Sequence, residues 1–298
     1  MSEPAERQAR LLAEELSCTV HLEALGGASR TFRVAGTDHI VTVPLSWPDD
    51  REPASELIRR STLQERIAGR VTVAVPRVVG AVPRSGLVVV RRLDGERMIT
   101  AHPARQRAVR HQAAVTAGSV LAQLHTWEPA AYEDVAVADD YSPEDWRQEG
   151  GELARELHPV LSDGQRSDVR RFLAHPPPPP AATHVLSHND LGIEHILIST
   201  GDDAPAVTGI IDWDDAAICD PAYDFGLLLR DLGPTALDTA LAAYATHGAA
   251  PIGYVERARF YASCKLLEDL AFGYANERRD YVEKSLAAWP WTFGPARG

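Results

Sequence analysis

The feature that most constrains this chain is a pair of polar segments, each of which directly follows an apolar run. The first is LSHNDLGIEHILI, residues 186–198, and the second is GIIDWDDAAICDPAYDF, residues 209–225. Short runs rich in Val, Ile and Leu indicate buried strands, so the polar residues fall in loops at the strand ends. Two hairpin-like units side by side would bring together Asp190, His195 and Asp212. One carboxylate can then accept a proton, while the other carboxylate and the imidazole can hold a divalent cation.

The charge of the chain limits the partners that it can have. The formal net charge is −12 over 298 residues, which argues against a nucleic-acid partner because such a partner needs a basic face. Residues 128–152 hold nine acidic residues against one basic residue, Arg147, with aromatic residues interleaved. Acidic and aromatic side chains together can hold a polycation, although a solvated loop can have the same composition. The sequence therefore allows a cationic small molecule as partner.

Cysteine content and hydropathy indicate the compartment. The three cysteines, Cys18, Cys219 and Cys264, are odd in number and far apart, which fits a reducing compartment and excludes a disulfide scaffold. No apolar run approaches the roughly 20 residues of a membrane span. The N-terminal segment MSEPAERQARLLAEEL is charged and amphipathic and has no signal-peptide core. We expect a cytoplasmic protein without a membrane partner.

The pattern along the chain predicts an α+β fold with two parts. After a helix at residues 5–16, β-branched and aromatic alternation predicts strands to about residue 45, and Val71 to Val75 and Leu87 to Val90 are also strand-like. Residues 103–126 carry an apolar helical face, and helical patterns dominate from 221 to about 285. A five-proline run at 176–180 is neither helix nor central strand. We therefore predict a small β-rich N-lobe at residues 1–95 and a larger, mainly helical C-lobe at 96–298.

The two polar segments together carry a family resemblance. The order H-x-D-x-x-x-x-(N/H), then an apolar run ending in DW, then DPxxD, resembles the aminoglycoside phosphotransferase and choline kinase family, small-molecule relatives of the protein kinases. The resemblance implies a bilobal, protein-kinase-like fold with the hinge near residues 90–95. It also implies Mg²⁺ as cofactor and ATP or GTP as co-substrate.

The resemblance also implies roles for the residues of the two segments. Asp190 would accept or orient the proton of the acceptor hydroxyl. His195 stands where the kinase pattern has a metal-binding Asn, as in some macrolide-phosphotransferase-like relatives, and Asp212 matches the Asp of D-F-G that binds Mg²⁺. The surrounding polar residues of the loops would brace them: His188, Asp220 and Asp224. Glu194 and Asp214 are expected to face solvent.

The resemblance extends to the N-lobe and to the acceptor side. LGGASRTF resembles the turn that covers the phosphates, and LVVVRRLDG resembles the hinge, with Val90 as gatekeeper. The candidate nucleotide-binding residues are therefore Gly27, Ser29, Thr42, Val90, Arg91 and Leu93. AQLHTW, which contains Leu124 and His125, resembles the helix behind the catalytic loop. The segment 127–152 and the helix CKLLEDLAFGY would line the acceptor pocket, where Glu268 and Asp269 are candidate contacts for a cation.

One position departs from the family pattern. The family has a Lys or Arg on the third N-lobe strand, paired with an acid on the next helix, but here that position is Thr42. The two lysines of the chain, Lys265 and Lys284, lie far downstream. Arg30 and Arg33 are the nearest alternatives but are out of register, and Glu56 and Glu65 are the choices for the acid. The change removes a phosphate clamp.

The resemblance implies a kinase that phosphorylates a hydroxyl of a small molecule and predicts resistance, with an antibiotic such as an aminoglycoside or a similar cationic acceptor as the first choice. A metabolic kinase of the same fold, acting on choline, homoserine or a sugar, is the first alternative. A catalytically silent nucleotide- or ligand-binding relative, suggested by Thr42, is the second. A metal hydrolase fits poorly, because the histidine spacings match no zinc pattern and leave DPAYDF unexplained. The protein is expected to be a monomer or a homodimer.

Overall fold

The structure is a computed structural model that describes residues 3–25, 29–49, 53–201, 203–248 and 250–294. It divides into two compact units. Unit 1 contains the residues up to Asp94 together with Ala130–Ala136, and unit 2 contains Gly95–Pro129 and the residues from Val137 onwards. Among the described residues, no helix is both long and apolar enough to cross a membrane.

Unit 1 is built on a five-stranded antiparallel sheet with the strand order β1-β2-β3-β5-β4. The elements of this unit are α1 (Glu3–Leu16), β1 (Val20–Leu25), β2 (Ser29–Val34), β3 (His39–Pro44), α2 (Ala54–Arg70), β4 (Val78–Val82) and β5 (Leu87–Arg91). Side chains alternate along the central strands because the strand period is two. Val41 and Val43 of β3 are buried, while Thr42 between them is exposed. The buried face packs with Leu12 of α1 and Leu87 of β5.

The strand predicted at Val71 to Val75 is absent, and β4 begins only at Val78. Val71 instead ends α2, since its amide donates to the carbonyl of Ile67. The carbonyl of Pro76 accepts from the side chain of Gln64 at 2.7 Å. Proline has no amide for a strand ladder, so the chain pairs only after it. The predicted strand at Leu87 to Val90 is confirmed as β5.

Unit 2 is mainly helical and carries five short strands. Its elements are β6 (Glu96–Arg97), α3 (Pro103–His125), α4 (Pro143–Leu157), α5 (Asp163–Leu173), β7 (Val185–Ser187), β8 (Ile196–Ile198), β9 (Val207–Ile210), β10 (Ala217–Cys219), α6 (Tyr223–Leu232), α7 (Pro234–Ala245), α8 (Tyr254–Ala275) and α9 (Arg279–Thr292). The apolar face predicted for residues 103–126 is buried in α3. The five prolines at 176–180 form neither helix nor strand, as predicted.

The short strands of unit 2 do not pair as the two predicted hairpin-like units. β7 pairs with β10, and β8 lies between β6 and β9, all antiparallel. Each polar segment therefore connects two sheets: the loop at 188–195 runs from β7 to β8, and the loop at 211–216 runs from β9 to β10. Because both loops connect the same two sheets, they lie beside each other. The expected meeting of Asp190, His195 and Asp212 is thus observed with a different strand pairing.

Gly118 allows the close packing of α3 against α7. A Cβ atom at this position would overlap the backbone carbonyl of Ala240 on α7. We expect Gly118→Ala to lower the free energy of unfolding by about 1–3 kcal/mol, because the helices must separate. The matched control is Gly151→Ala in α4, where the nearest atom, from Leu173, is 4.0 Å away. This variant should be neutral or more stable by up to about 1 kcal/mol, and urea denaturation of both would measure the difference. Equal stabilities would contradict the close approach.

Candidate active site

The loop at 188–195 is held in place by hydrogen bonds to its backbone. The buried carboxylate of Asp224, in the first turn of α6, accepts from the amides of Asn189 and Leu191, each at 3.1 Å. Burial raises the pKa of Asp224 to about 6, against the effect of these two amides, which lower it. Asn189 has a positive φ of 65°, a conformation that Asn tolerates better than most residues. Asp190 is therefore presented between two anchored neighbours.

His188 joins the two loops. Its ring is buried, and its Nε2–H donates to the carbonyl of Ile211 at 3.0 Å while its Nδ1 accepts from the amide of Asp190 at 3.3 Å. The ring also lies 4.4 Å from that of Trp213. Burial, together with the charge of His195, lowers the pKa of His188 to about 4. His188 is thus a neutral bridge, in agreement with the hydrogen-bonding position expected for it.

His195 lies between the two carboxylates that the sequence singles out. Its Nδ1–H donates to the backbone carbonyl of Asp190 at 2.7 Å and lies 3.5 Å from the carboxylate of Asp190. Its Nε2 lies 3.2 Å from Oδ2 of Asp212. Burial alone would lower the pKa of His195, but the hydrogen bond to Asp212 and the charges of Asp190, Asp212 and Glu194 outweigh it and raise the pKa to about 10.

Asp212, two residues after the end of β9, has a strained backbone. Its φ is 64°, a left-handed conformation that costs free energy for a residue other than glycine and that often marks functional sites. Its side chain is about half exposed, at 52 %, and so can reach a ligand. Asp215, three residues on, has an exposed side chain, and partial desolvation together with the nearby charges of Asp190, Asp212 and Asp214 raises its pKa to about 6. Sequence reasoning did not single out Asp215, although the run of acids in DWDD was a signal for it.

Asp220 and Asp214 lie in different surroundings, the first in the interior and the second in solvent. Asp220 is buried, accepts from the hydroxyl of Tyr261 at 3.0 Å and pairs with Arg257 at 2.8 Å. It joins the residues before α6 to α8, and its bracing role for the loops stays a prediction. Asp214 is exposed, as expected.

Glu194 was expected to face solvent, but it is buried. Lys284 donates to both of its carboxylate oxygens, at 2.9 and 2.8 Å, and Arg230 donates at 3.3 Å. Asp269, a candidate substrate contact, lies in the same ion cluster, 2.7 Å from Arg230 and 3.0 Å from Lys284. Burial raises the pKa of Asp269 to about 6. The structure therefore places Asp269 against two protein cations in the interior. Leu266 and Leu270 on the same helix are buried, and helical periodicity indicates such a face but not whether an acid on it has a cationic partner.

Glu268, the other candidate substrate contact, pairs with Lys265. The carboxylate of Glu268 lies 2.6 Å from Nζ of Lys265, which in turn lies 5.5 Å from the ring centre of Trp146. The side chain of Glu268 is 38 % exposed, and that of Lys265 is 11 % exposed. Lys265 is close enough to Asp190 that the charge of Asp190 helps to raise its pKa against the effect of burial.

A cavity of about 130 Å³ adjoins Asn189, the neighbour of Asp190. The acidic and aromatic segment contributes to it, through Asp139, Asp140, Tyr141 and Trp146. Asp139 also accepts from the side-chain amide of Asn189 at 3.0 Å. Glu268 and Asp269 are not among the described residues that line this cavity. Part of the segment 127–152 thus lines a cavity next to Asn189, and the lining of the acceptor pocket stays a prediction.

The candidate nucleotide residues lie in unit 1. Ser29 begins β2, and Val90 and Arg91 end β5, where the amide of Arg91 donates to the carbonyl of Arg77 at 2.8 Å. Leu93 follows the strand and is half-buried. Gly27 lies outside the described residues.

Thr42, at the position of the family's basic residue, pairs through its hydroxyl with that of Thr31 at 2.9 Å. The basic alternatives have partners within unit 1: Arg30 donates to Gln8 at 2.7 Å, and Arg33 pairs with Glu23 at 3.5 Å. The acids have partners as well, since Glu56 pairs with Arg59 and Glu65 pairs with Arg77. The described residues of unit 1 thus show no ion pair from this position.

Comparison with known proteins agrees with this geometry. Residues 21–261 match the model of the phosphotransferase enzyme family, so the chain belongs to that family, as the motifs predicted. Viomycin phosphotransferase of Streptomyces vinaceus is 36 % identical over 98 residues, which are 33 % of this chain and 34 % of that protein. The chain therefore matches about a third of the length of this relative.

Solved structures with the same fold cover nearly the whole chain. Aminoglycoside 2'-phosphotransferase-IIIa in its GDP complex is 19 % identical with a TM-score of 0.68, covering 98 % of both chains. Macrolide 2'-phosphotransferase MphH of Brachybacterium faecium is 23 % identical with a TM-score of 0.61, covering 98 % of this chain and 99 % of that one. These structures confirm the predicted α+β, kinase-like fold.

Proposed function

We propose that this chain is a kinase that transfers the γ-phosphate of ATP or GTP to a hydroxyl of a cationic antibiotic and thereby inactivates it. The observation that carries the proposal is that Asp190 and His195 of one loop lie beside Asp212 of the neighbouring loop. An acidic and aromatic cavity adjoins the first loop. Phosphoryl transfer needs a positioned acceptor and neutralised charge more than covalent chemistry. Asp190 would position the acceptor, and a magnesium ion held at Asp212 would neutralise charge.

Asp190 is the proposed base. The Nδ1–H of His195 donates to the backbone carbonyl of Asp190 at 2.7 Å. The carboxylate of Asp190, 3.5 Å from the same nitrogen, therefore remains open to an acceptor hydroxyl. The side chain is 31 % exposed, which gives the acceptor access. The carboxylate would orient the hydroxyl and take its proton as the oxygen attacks phosphorus.

The acids around Asp212 fit a magnesium ion. Mg²⁺ prefers oxygen ligands and is usually held by one or two carboxylates together with substrate phosphates and waters. Asp212 is accessible, and Asp215 belongs to the same group of charges. No cluster of three or more potential metal ligands occurs in the described part of the chain. Bound magnesium would neutralise charge on the phosphates. Nε2 of His195 lies 3.2 Å from Asp212 and, in the neutral form of the imidazole, would be a further ligand beside that carboxylate.

The cavity beside Asn189 supports a cationic acceptor. Asp139 and Asp140 supply negative charge, and Tyr141 and Trp146 supply ring faces, 4.9 Å apart between centres. Cations are attracted both to carboxylates and to the faces of aromatic rings. Among solved structures with this fold, one contains GDP and kanamycin, and another contains gentamicin.

The proposal is tested by steady-state nucleotide turnover with Mg²⁺ and either ATP or GTP, measured with and without acceptor. The panel contains aminoglycosides, tuberactinomycin-type peptides, macrolides and choline. We expect turnover that depends on a cationic antibiotic and a phosphorylated product detectable by mass spectrometry. Phosphorylation of choline alone would favour a metabolic kinase, and a lack of stimulation by every acceptor would contradict the proposal.

A further inference from the structure

Five charged side chains form a buried ion cluster behind the loop that carries Asp190. The cluster consists of Glu194, Arg230, Asp231, Asp269 and Lys284, and each of these side chains is at most 10 % exposed. They come from the loop, from α6, from α8 and from α9. Buried charges at this density are costly unless they are paired, and nearly every contact in the cluster joins opposite charges.

The cluster is attached directly to the loop. The carboxylate of Asp231, near the end of α6, accepts from the amide of Ile193 at 3.0 Å. Glu194 receives two hydrogen bonds from Lys284 and one from Arg230. Since Asp224 holds Asn189 and Leu191 from the first turn of the same helix, α6 fixes the loop at both its start and its end.

The loop packs closely against the carboxylate of Glu194. A Cβ atom on Gly192 would lie 2.5 Å from the carboxylate of Glu194, so the loop folds closely over this side chain. The carbonyl of Gly192 accepts from the amide of His195 at 3.0 Å. A shift of Glu194 would therefore displace the backbone of His195, and with it the imidazole that touches both Asp190 and Asp212.

Lys284 is the member of the cluster that comes from farthest along the chain. It lies on α9, 90 residues beyond Glu194, and its Nζ lies 2.8 Å from Glu194, 3.0 Å from Asp269 and 3.6 Å from Asp231. It thus contacts all three carboxylates of the cluster. Its Nζ also lies 4.7 Å from the ring centre of Tyr281.

We propose that Lys284 is a positioning residue for phosphoryl transfer: it fixes Glu194 and through it holds His195 against Asp190 and Asp212. This inference rests on the proposed function, because it assigns a role within that active site. It differs from a merely structural role, in which Lys284 would stabilise the fold without affecting the geometry of the site.

Three variants separate the two roles. Lys284→Met removes the cation, and Glu194→Gln/Lys284→Met removes one cation and one anion, so that the formal charge of the cluster is unchanged. Arg279→Met is the matched control, since it removes a cation from the same helix whose pair with Glu283 is exposed, at 87 % and 62 %. For each, kcat, KM and the melting temperature are measured. The imidazole resonances of His195, assigned with His195→Asn, are recorded in ¹⁵N NMR spectra without nucleotide or metal.

We expect Lys284→Met to lower both kcat, by about 10- to 100-fold, and the melting temperature, because small displacements of reacting groups have effects of this size. In the double variant the melting temperature should largely recover while kcat stays low and KM changes less than about threefold. The His195 resonances should shift in both variants and not in Arg279→Met, which should keep the wild-type kcat. If Lys284→Met does not fold, the double variant alone distinguishes the positioning role from the structural role.

A double variant with the wild-type kcat, or with unchanged His195 resonances, would overturn the inference. A wild-type chain without acceptor-dependent turnover would instead contradict the proposed function. In that case the NMR spectra alone decide whether Lys284 positions His195, so that the two failures remain distinguishable.

Discussion

Asp190→Asn is expected to lower kcat by about 10²- to 10⁴-fold, the usual contribution of a general base. Asparagine has the same shape as aspartate but cannot take the proton of the acceptor hydroxyl. The contacts that hold this position are made by the backbone: the amide donates to His188, and the carbonyl accepts from His195. The loop should therefore keep its conformation, and KM for the acceptor should change little.

The matched control is Asp238→Asn, which removes an exposed carboxylate from α7. It should leave kcat unchanged within about twofold. Steady-state kinetics at saturating nucleotide measure both variants, and urea denaturation checks that each is folded. If Asp190→Asn kept more than about a tenth of the wild-type kcat, Asp190 would not be the base and the role assigned to the loop would have to be withdrawn.

The group formed by Asp190, His195 and Asp212 was predictable because each residue stands next to a short apolar run. The ends of the apolar runs show where the loops begin. The order of the two polar segments along the chain indicates which loops meet. The pairing of the strands was not predictable in the same way. β7 pairs with β10 rather than with a neighbour in sequence, and such non-local pairing leaves no mark in the local pattern of alternation.

The acids show where a sequence pattern stops being informative. Asp190 and Asp269 are both carboxylates next to leucine, yet the side chain of the first is 31 % exposed and the second is buried against Arg230. The difference depends on a cation 39 residues from Asp269 in sequence, which folding brings to 2.7 Å. Helical periodicity predicts which face is buried, but it does not show whether an acid on that face has a partner.

Arg230→Met is expected to lower the free energy of unfolding by about 3–5 kcal/mol, a value measured for buried ion pairs that lose one partner. Arg230 is 1 % exposed and contacts Asp231 at 2.7 Å, Asp269 at 2.7 Å and Glu194 at 3.3 Å. Its loss leaves three buried carboxylates with Lys284 as the remaining cation of the cluster. Because a domain is stable by only about 5–15 kcal/mol, the variant should unfold at a much lower urea concentration.

The control for Arg230→Met is Arg155→Met in α4, whose pair with Glu152 is 3.8 Å long and exposed, at 78 % and 53 %. Exposed pairs contribute at most about 1 kcal/mol, so this variant should unfold almost like the wild type. A loss below about 1 kcal/mol for Arg230→Met would show that the cluster tolerates an unbalanced charge and would contradict the expected effect.

The physical origin of the loss can be determined by adding Asp269→Asn to Arg230→Met. If unpaired charge causes the instability, the double variant removes one cation and one anion, and it should recover a measurable part of the loss. If the loss arises from packing around the long arginine side chain, the two effects should simply add. The charge explanation is favoured by the composition of the cluster. Two cations already face three carboxylates, and burial raises the pKa of Asp269 to about 6, so Asp269 is the acid that the protein can most easily accept in a neutral form.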